Sequence, residues 1–210
     1  MSRSNYKYKV YNGKIIKDIL KNSRIYFMAL FFIFGLVAGA VFVKYNDDVI
    51  GTKVSEIASA YIKSKTGQGM LQAFLSPASI NMMLFAINIF LAFSLIGYPI
   101  IVWLPFLRGL GIGVFSGYMY SCYKLIGLGY CAVLIYPSAV ISSFVFILAC
   151  CDSCDYSKNA YEKSIRAKGQ FEKDETKIYL FRQFIYISIS LCSSLIEAVF
   201  TVVFSRFFEV

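Results

Sequence analysis

The chain has 210 residues, 58% of them hydrophobic and only 16% charged, with a formal net charge of +9. A soluble globular domain carries about 25% charged residues. Here the apolar residues gather into runs close to the roughly 20 needed to cross a bilayer, which excludes an ordinary soluble fold.

Residues 1–24 are basic, with Arg3, Lys7, Lys9, Lys14, Lys17, Lys21 and Arg24 against Asp18. At 100° per residue Ile15, Ile16, Ile19 and Leu20 share one helical face, while Lys14, Lys17, Lys21 and Arg24 share the other. This predicts a basic amphipathic cytoplasmic segment lying in the headgroup layer, its lysines near anionic lipid headgroups. A plain basic flank that sets topology fits the same residues.

Residues 25–210 read as a single membrane domain of five spans. The first, about 25–43, follows the basic segment and contains Ala38-Gly39-Ala40. A basic start, an apolar stretch and small residues also describe a cleaved signal peptide. The apolar run continues through Val43, which favours an uncleaved span. In the polar region 44–79, Val54, Ile57, Ala58, Tyr61 and Ile62 recur at helical spacing and predict a short amphipathic helix.

The second span is expected at about 80–103, kinked at Pro99, with Pro105 and Arg108 marking a tight turn. A short, glycine-rich third span follows at 107–123, and a fourth at 128–150 holds Pro137. Residues 151–183 carry seven basic and six acidic residues and read as a solvated helical connector. The last span is expected at 184–204. No series of about 10-residue alternating segments supports a barrel. The fold class is therefore all-α, a polytopic helical bundle.

Lysines and arginines set the expected orientation. With the N-terminus inside, the cytoplasmic segments hold 15 basic residues and the opposite side 6, so the C-terminus is expected outside. The positive charge lies between apolar spans and in the N-terminal segment, with no basic unit large enough to fold alone. A membrane surface is the expected partner, and nucleic acid is not.

Three features bear on chemistry. Gly35 and Gly39 form one G-x-x-x-G pair, and Gly109, Gly113 and Gly117 form two more in tandem. Small residues let helix backbones approach closely, either within the bundle or against a partner or second copy of the chain. Glu197 is the one ionisable residue inside an expected span, so it is either a structural polar contact or a proton or ion site. Cys151 and Cys154 have C-x-x-C spacing, but the chain has no histidine and no thioredoxin-like context, so ordinary membrane-helix cysteines are expected. No metal, cofactor or catalytic set is expected, and the chain reads as a non-enzyme.

The stretch SLIGYPIIVWLPFLRGLGIGVFSGY, residues 94–118, resembles the stage II sporulation protein M family. The resemblance rests on Gly97 and Pro99, on Arg108-Gly109, and on Gly113 and Gly117. It continues through IGLGYCAVLIYPSAVISS, with Gly129 and Pro137, and through IEAVFT around Glu197. It implies a multi-pass protein of the mother-cell membrane at the sporulation septum. Such a protein anchors the cell-wall hydrolases called stage II sporulation proteins D and P, which remodel peptidoglycan during engulfment. The alternative from a different class is a small transporter or channel subunit, motivated by Glu197 and the proline-containing spans.

Overall fold

The computed structural model describes residues 2–45, 70–94, 97–166 and 173–204. Its elements are α1 (Ser2–Tyr45), α2 (Met70–Phe93), α3 (Gly97–Tyr130), a π-helical turn (Cys131–Ile135), α4 (Tyr136–Arg166) and α5 (Lys173–Phe204). No strand occurs among the described residues. Five stretches are long and apolar enough to cross a membrane, at residues 23–45, 74–93, 97–122, 136–161 and 175–200. The protein is an all-α, multi-pass membrane bundle.

Contacts at the helix ends show how the spans alternate. Arg24 near the start of the first span pairs with Asp155 late in α4. Ser157 of α4 donates to the Ser94 carbonyl just after α2 (3.2 Å), and Tyr156 hydrogen-bonds Thr176 early in α5 (3.0 Å). One end of the bundle therefore gathers the start of the first span, the end of α2, the start of α3, the end of α4 and the start of α5.

The N-terminal basic segment is helical, as its periodicity predicts, but it is continuous with the first span. No glycine or proline stands between Gly13 and Gly35, so nothing interrupts the hydrogen-bond ladder of α1 there. The amphipathic helix expected at 54–62 lies outside the described residues.

The largest difference from the sequence-based spans is the second hairpin. The turn falls at 94–97, where the Ser94 amide donates to the Leu91 carbonyl (3.0 Å) and the Gly97 amide to the Ser94 carbonyl (3.1 Å). Gly97 passes so close to Leu91 that a Cβ there would overlap its carbonyl oxygen. Pro99 then lies in the first turn of α3, where a missing N–H breaks no helical bond. Pro99 therefore helps to start α3 instead of kinking α2, and Arg108 sits about three turns inside α3. The turn carries no charge, so the apolar run reads straight through it.

Beyond the third span the backbone kinks at Lys124, whose φ of 50° and ψ of −128° suit a glycine better than a lysine. The helix resumes and widens into the π turn just before Pro137. Proline cannot donate to the carbonyl four residues back, and its ring crowds that carbonyl. One wider turn relieves both problems. The fourth and fifth candidate spans, 136–161 and 175–200, extend into the region whose charge reads as a connector. Cys150, Cys151, Cys154 and Ser157 there are buried against neighbouring helices.

The bundle is apolar outside and polar within. Phe90 of α2 is 76% exposed, whereas Asn88, two residues away, is 0% exposed. Exposed Phe184, Met83 and Phe144 likewise face outward, where lipid solvates them. The apolar part of the interior centres on Phe85 and Phe146, packed edge to face at 5.4 Å, with Met28, Ile101, Leu104 and Cys150 around them.

Candidate functional site: an ionic centre inside the bundle

Charged residues of α3 and α5 each bond to serines of α4 in the interior. From α3, Arg108 donates through Nε to Ser143 Oγ (3.0 Å) and through Nη2 to Ser142 Oγ (2.6 Å), both on α4. Its guanidinium carbon also lies 5.4 Å from the centre of the Phe146 ring, within cation–π range. From α5, Glu197 accepts a hydrogen bond from Ser138 Oγ at 2.7 Å. The Ser138 hydroxyl is also 3.0 Å from the Ile135 carbonyl, at the end of the π turn. Ser193 donates to the Ser138 carbonyl (2.7 Å), which fixes α5 against α4 at the same level.

Arg108 and Glu197 are both buried, at 9% and 6% exposed. Each charge taken into a protein interior carries a desolvation penalty of several kcal/mol unless the groups around it offset that cost. The serines supply directional bonds that hold each charge in place. The arrangement is a three-helix tie built from ions, and its polar atoms bond to protein groups on neighbouring helices.

A second tier lies toward the end where α5 begins. Asn88 of α2 donates to Ser153 Oγ of α4 (2.8 Å). Ser153 also pairs with the Tyr179 hydroxyl (2.9 Å), and Gln183 donates to Ser153 Oγ and to the Ala149 carbonyl, both at 3.2 Å. Between the tiers Asn81 of α2 donates to Ser194 Oγ (3.0 Å), which in turn donates to the Ser190 carbonyl (3.2 Å).

The glycines do different work. A Cβ at Gly35 would overlap the Phe106 carbonyl oxygen, and one at Gly39 would overlap that of Leu110. On the facing helix, Gly109 and Gly113 meet the carbonyls of Phe32 and Leu36 in the same way, while Gly117 would bring a Cβ to 3.1 Å from that of Ala40. Both glycine sets thus face each other across the α1–α3 contact and allow backbone-to-backbone packing within this chain.

Other sequence-marked residues lie apart from the ionic centre. Gly97 and Pro99 build the turn into α3, and Pro137 follows the π turn beside Ser138. Arg24 pairs with Asp155 at the bundle end. The side chains of Lys14, Lys17 and Lys21 lie outside the described residues. The six cysteines form no disulfide, and Cys151 donates to the Met28 sulfur (3.4 Å). Among the described residues no three of His, Cys, Asp and Glu converge in a way that could hold a metal.

The sequence marks Glu197 but not its partners, and its local pattern places Arg108 at the membrane edge. A usable signal does exist: Asn81 and Asn88 are seven residues apart, and Ser190, Ser194 and Glu197 follow at intervals of four and three. Such spacing puts the polar residues of an apolar helix on one inward stripe.

Ser138 gives a local test of this centre. Ser138→Ala removes the hydroxyl bonded to a buried carboxylate, an interaction worth about 1.5–3 kcal/mol. The expected result is a lower thermal unfolding midpoint in detergent, with Ser138→Thr retaining most of the stability. An unchanged midpoint for Ser138→Ala would show that this bond contributes nothing.

A family model described as Stage II sporulation protein M matches residues 28–202. The match runs from the first span into the last and includes Gly97, Pro99, Arg108, Pro137 and Glu197. No curated protein and no solved structure matches the chain.

Proposed function

Because the chain belongs to the stage II sporulation protein M family, we propose that it is a non-catalytic membrane scaffold for peptidoglycan-degrading enzymes. In this reading it recruits stage II sporulation proteins D and P and positions them for septal wall remodelling and engulfment. It acts in the mother-cell membrane at the sporulation septum, with its N-terminus inside and its C-terminus outside. The family match over most of the chain is the observation that carries the reading.

The architecture is compatible with this role. Arg108 and Glu197 are engaged in bonds to Ser142, Ser143 and Ser138 that tie α3, α4 and α5 together. The glycine faces of α1 and α3 are taken up by each other, so partner contacts fall to other surfaces. Among the described residues, those are the outward helix faces. The basic residues nearest the first span, Lys17, Lys21 and Arg24, suit anionic lipid headgroups on the inner side. Placing Arg108 within the membrane removes one charge from the inner count and leaves its excess intact.

The test is affinity purification of the tagged protein from sporulating cells in mild detergent, with mass spectrometry of what accompanies it. The two hydrolases should be recovered, and alteration of residues 46–69 should release them while the protein stays in the membrane. Recovery of the chain alone, with both hydrolases correctly located in its absence, would remove the scaffold reading.

A further inference from the structure

Three buried side-chain atoms have no protein partner among the described residues: Asn88 Oδ1, Gln183 Oε1 and Ser190 Oγ. Their residues are 0%, 1% and 1% exposed. Asn88 and Gln183 lie at the seam where α2, α4 and α5 meet, and Ser190 is buried on the same stripe of α5 as Gln183. Asn88 and Gln183 share one neighbour, Ser153 Oγ, so their amide groups are held side by side. Ser190 stands seven residues after Gln183 on α5, about 10 Å along the helix axis. The three atoms therefore line one short stretch between the Ser153 tier and the Asn81–Ser194 bond.

Counting protons identifies what this stretch would accept. Ser153 Oγ receives N–H groups from both Asn88 and Gln183, which occupy its two acceptor positions. Its own proton then goes to Tyr179 Oη, 2.9 Å away, and the tyrosine proton is directed elsewhere. The node thus offers two carbonyl acceptors and one hydroxyl donor. A water molecule donates twice and accepts, which complements that set. A bare cation fits less well. The acid next to Ser153, Asp152, accepts from Tyr186 (2.8 Å) and lies 3.7 Å from Arg182. No carboxylate of the node is left to offset a cation's desolvation.

We propose that the α2–α4–α5 seam is a water-binding crevice, holding a short file of ordered water between the Asn88–Ser153–Gln183 node and Ser190. Buried water of this kind bonds polar groups that the protein leaves unmatched, and each such group would otherwise lose the hydration it has in the unfolded chain. The site keeps the contact between α2 and α5 hydrated within the polar interior of the bundle. It makes that seam the contact whose hydrogen bonds exchange most readily.

X-ray radiolysis tests this, because hydroxyl radicals form from water where it is bound and label adjacent side chains. The full chain in lipid nanodiscs would be irradiated and modification read by mass spectrometry. Tyr179, beside the node, should be labelled, while the dry-core Phe85 and lipid-facing Phe90 should not. Asn88→Leu with Gln183→Leu removes the acceptors and should cut Tyr179 labelling at least about tenfold if bound water is its source. If the double variant does not fold, each single leucine variant and Ser190→Val make the same comparison. Two results overturn the proposal: a silent Tyr179 in the wild type, or labelling unchanged by these substitutions.

Discussion

Arg108→Ala is expected to destabilise the bundle by roughly 3–6 kcal/mol, about 1.5–3 kcal/mol for each of the two hydrogen bonds its charged guanidinium makes. The substitution strips Ser142 and Ser143 of their donor in a low-dielectric interior. Heating in detergent, or sodium dodecyl sulfate titration in mixed micelles, reads the loss directly. Glu197→Ala should behave similarly, with the charge left on Arg108. The decisive comparison is the double variant. If the two charges compensate each other, Arg108→Ala with Glu197→Ala falls short of the sum of the single losses by about 1 kcal/mol or more. Strict additivity would show that the two residues act separately. Arg108→Lys is an informative intermediate, because lysine keeps the charge but cannot reproduce the guanidinium's two separate bonds to neighbouring serines.

The second large effect concerns the seam between α1 and α3. Gly113→Val would drive a branched side chain into the backbone of Leu36, and Gly109→Val would do the same at Phe32. The obstacle is helix backbone and cannot rotate aside, so the two helices must separate. Overpacking usually costs about 1–3 kcal/mol, and backbone obstruction puts this case at the upper end or beyond. Gly111 lies in the same glycine run, but a methyl group added there would meet nothing within 4 Å. Gly111→Ala should therefore be neutral, or slightly stabilising through helix propensity, by up to about 1 kcal/mol. Paired cysteines placed across α1 and α3 would cross-link in Gly111→Ala and fail to do so in Gly113→Val. Equal cross-linking in both would refute the close-packing account.

Much of the fold is legible in the sequence because lipid imposes a simple length rule on apolar runs. The five crossings and the glycine faces come from that rule and from residue size. What misleads is charge. A lone arginine beside Pro105 resembles a turn at the membrane edge, since an isolated cation in lipid is costly. The other buried charge, Glu197, is 89 residues away, and the serines that hold Arg108 are 34 and 35 away. Pairing at such range does not show in local periodicity. The hairpin at Ser94–Gly97 is hidden for the opposite reason: it needs no charged residue, because Gly97 and Pro99 make the reversal by shape. Asn81, Asn88 and Gln183 look incidental one at a time, and they acquire meaning only when three helices bring them to one seam.

The π turn at Cys131–Ile135 gives the fourth helix two rotational phases. The turn itself packs Cys131 and Ile135 with Met119 in an apolar cluster; downstream, Ser138 bonds Glu197, and Ser142 and Ser143 accept from Arg108. A wide turn holds one residue more than a regular one, an offset of about 100° around the axis. Loss of a single residue from this turn would act as a rotation more than a shortening. It would let the helix run regular while swinging the cluster and the serines out of step, so that one could dock only if the other turned toward lipid.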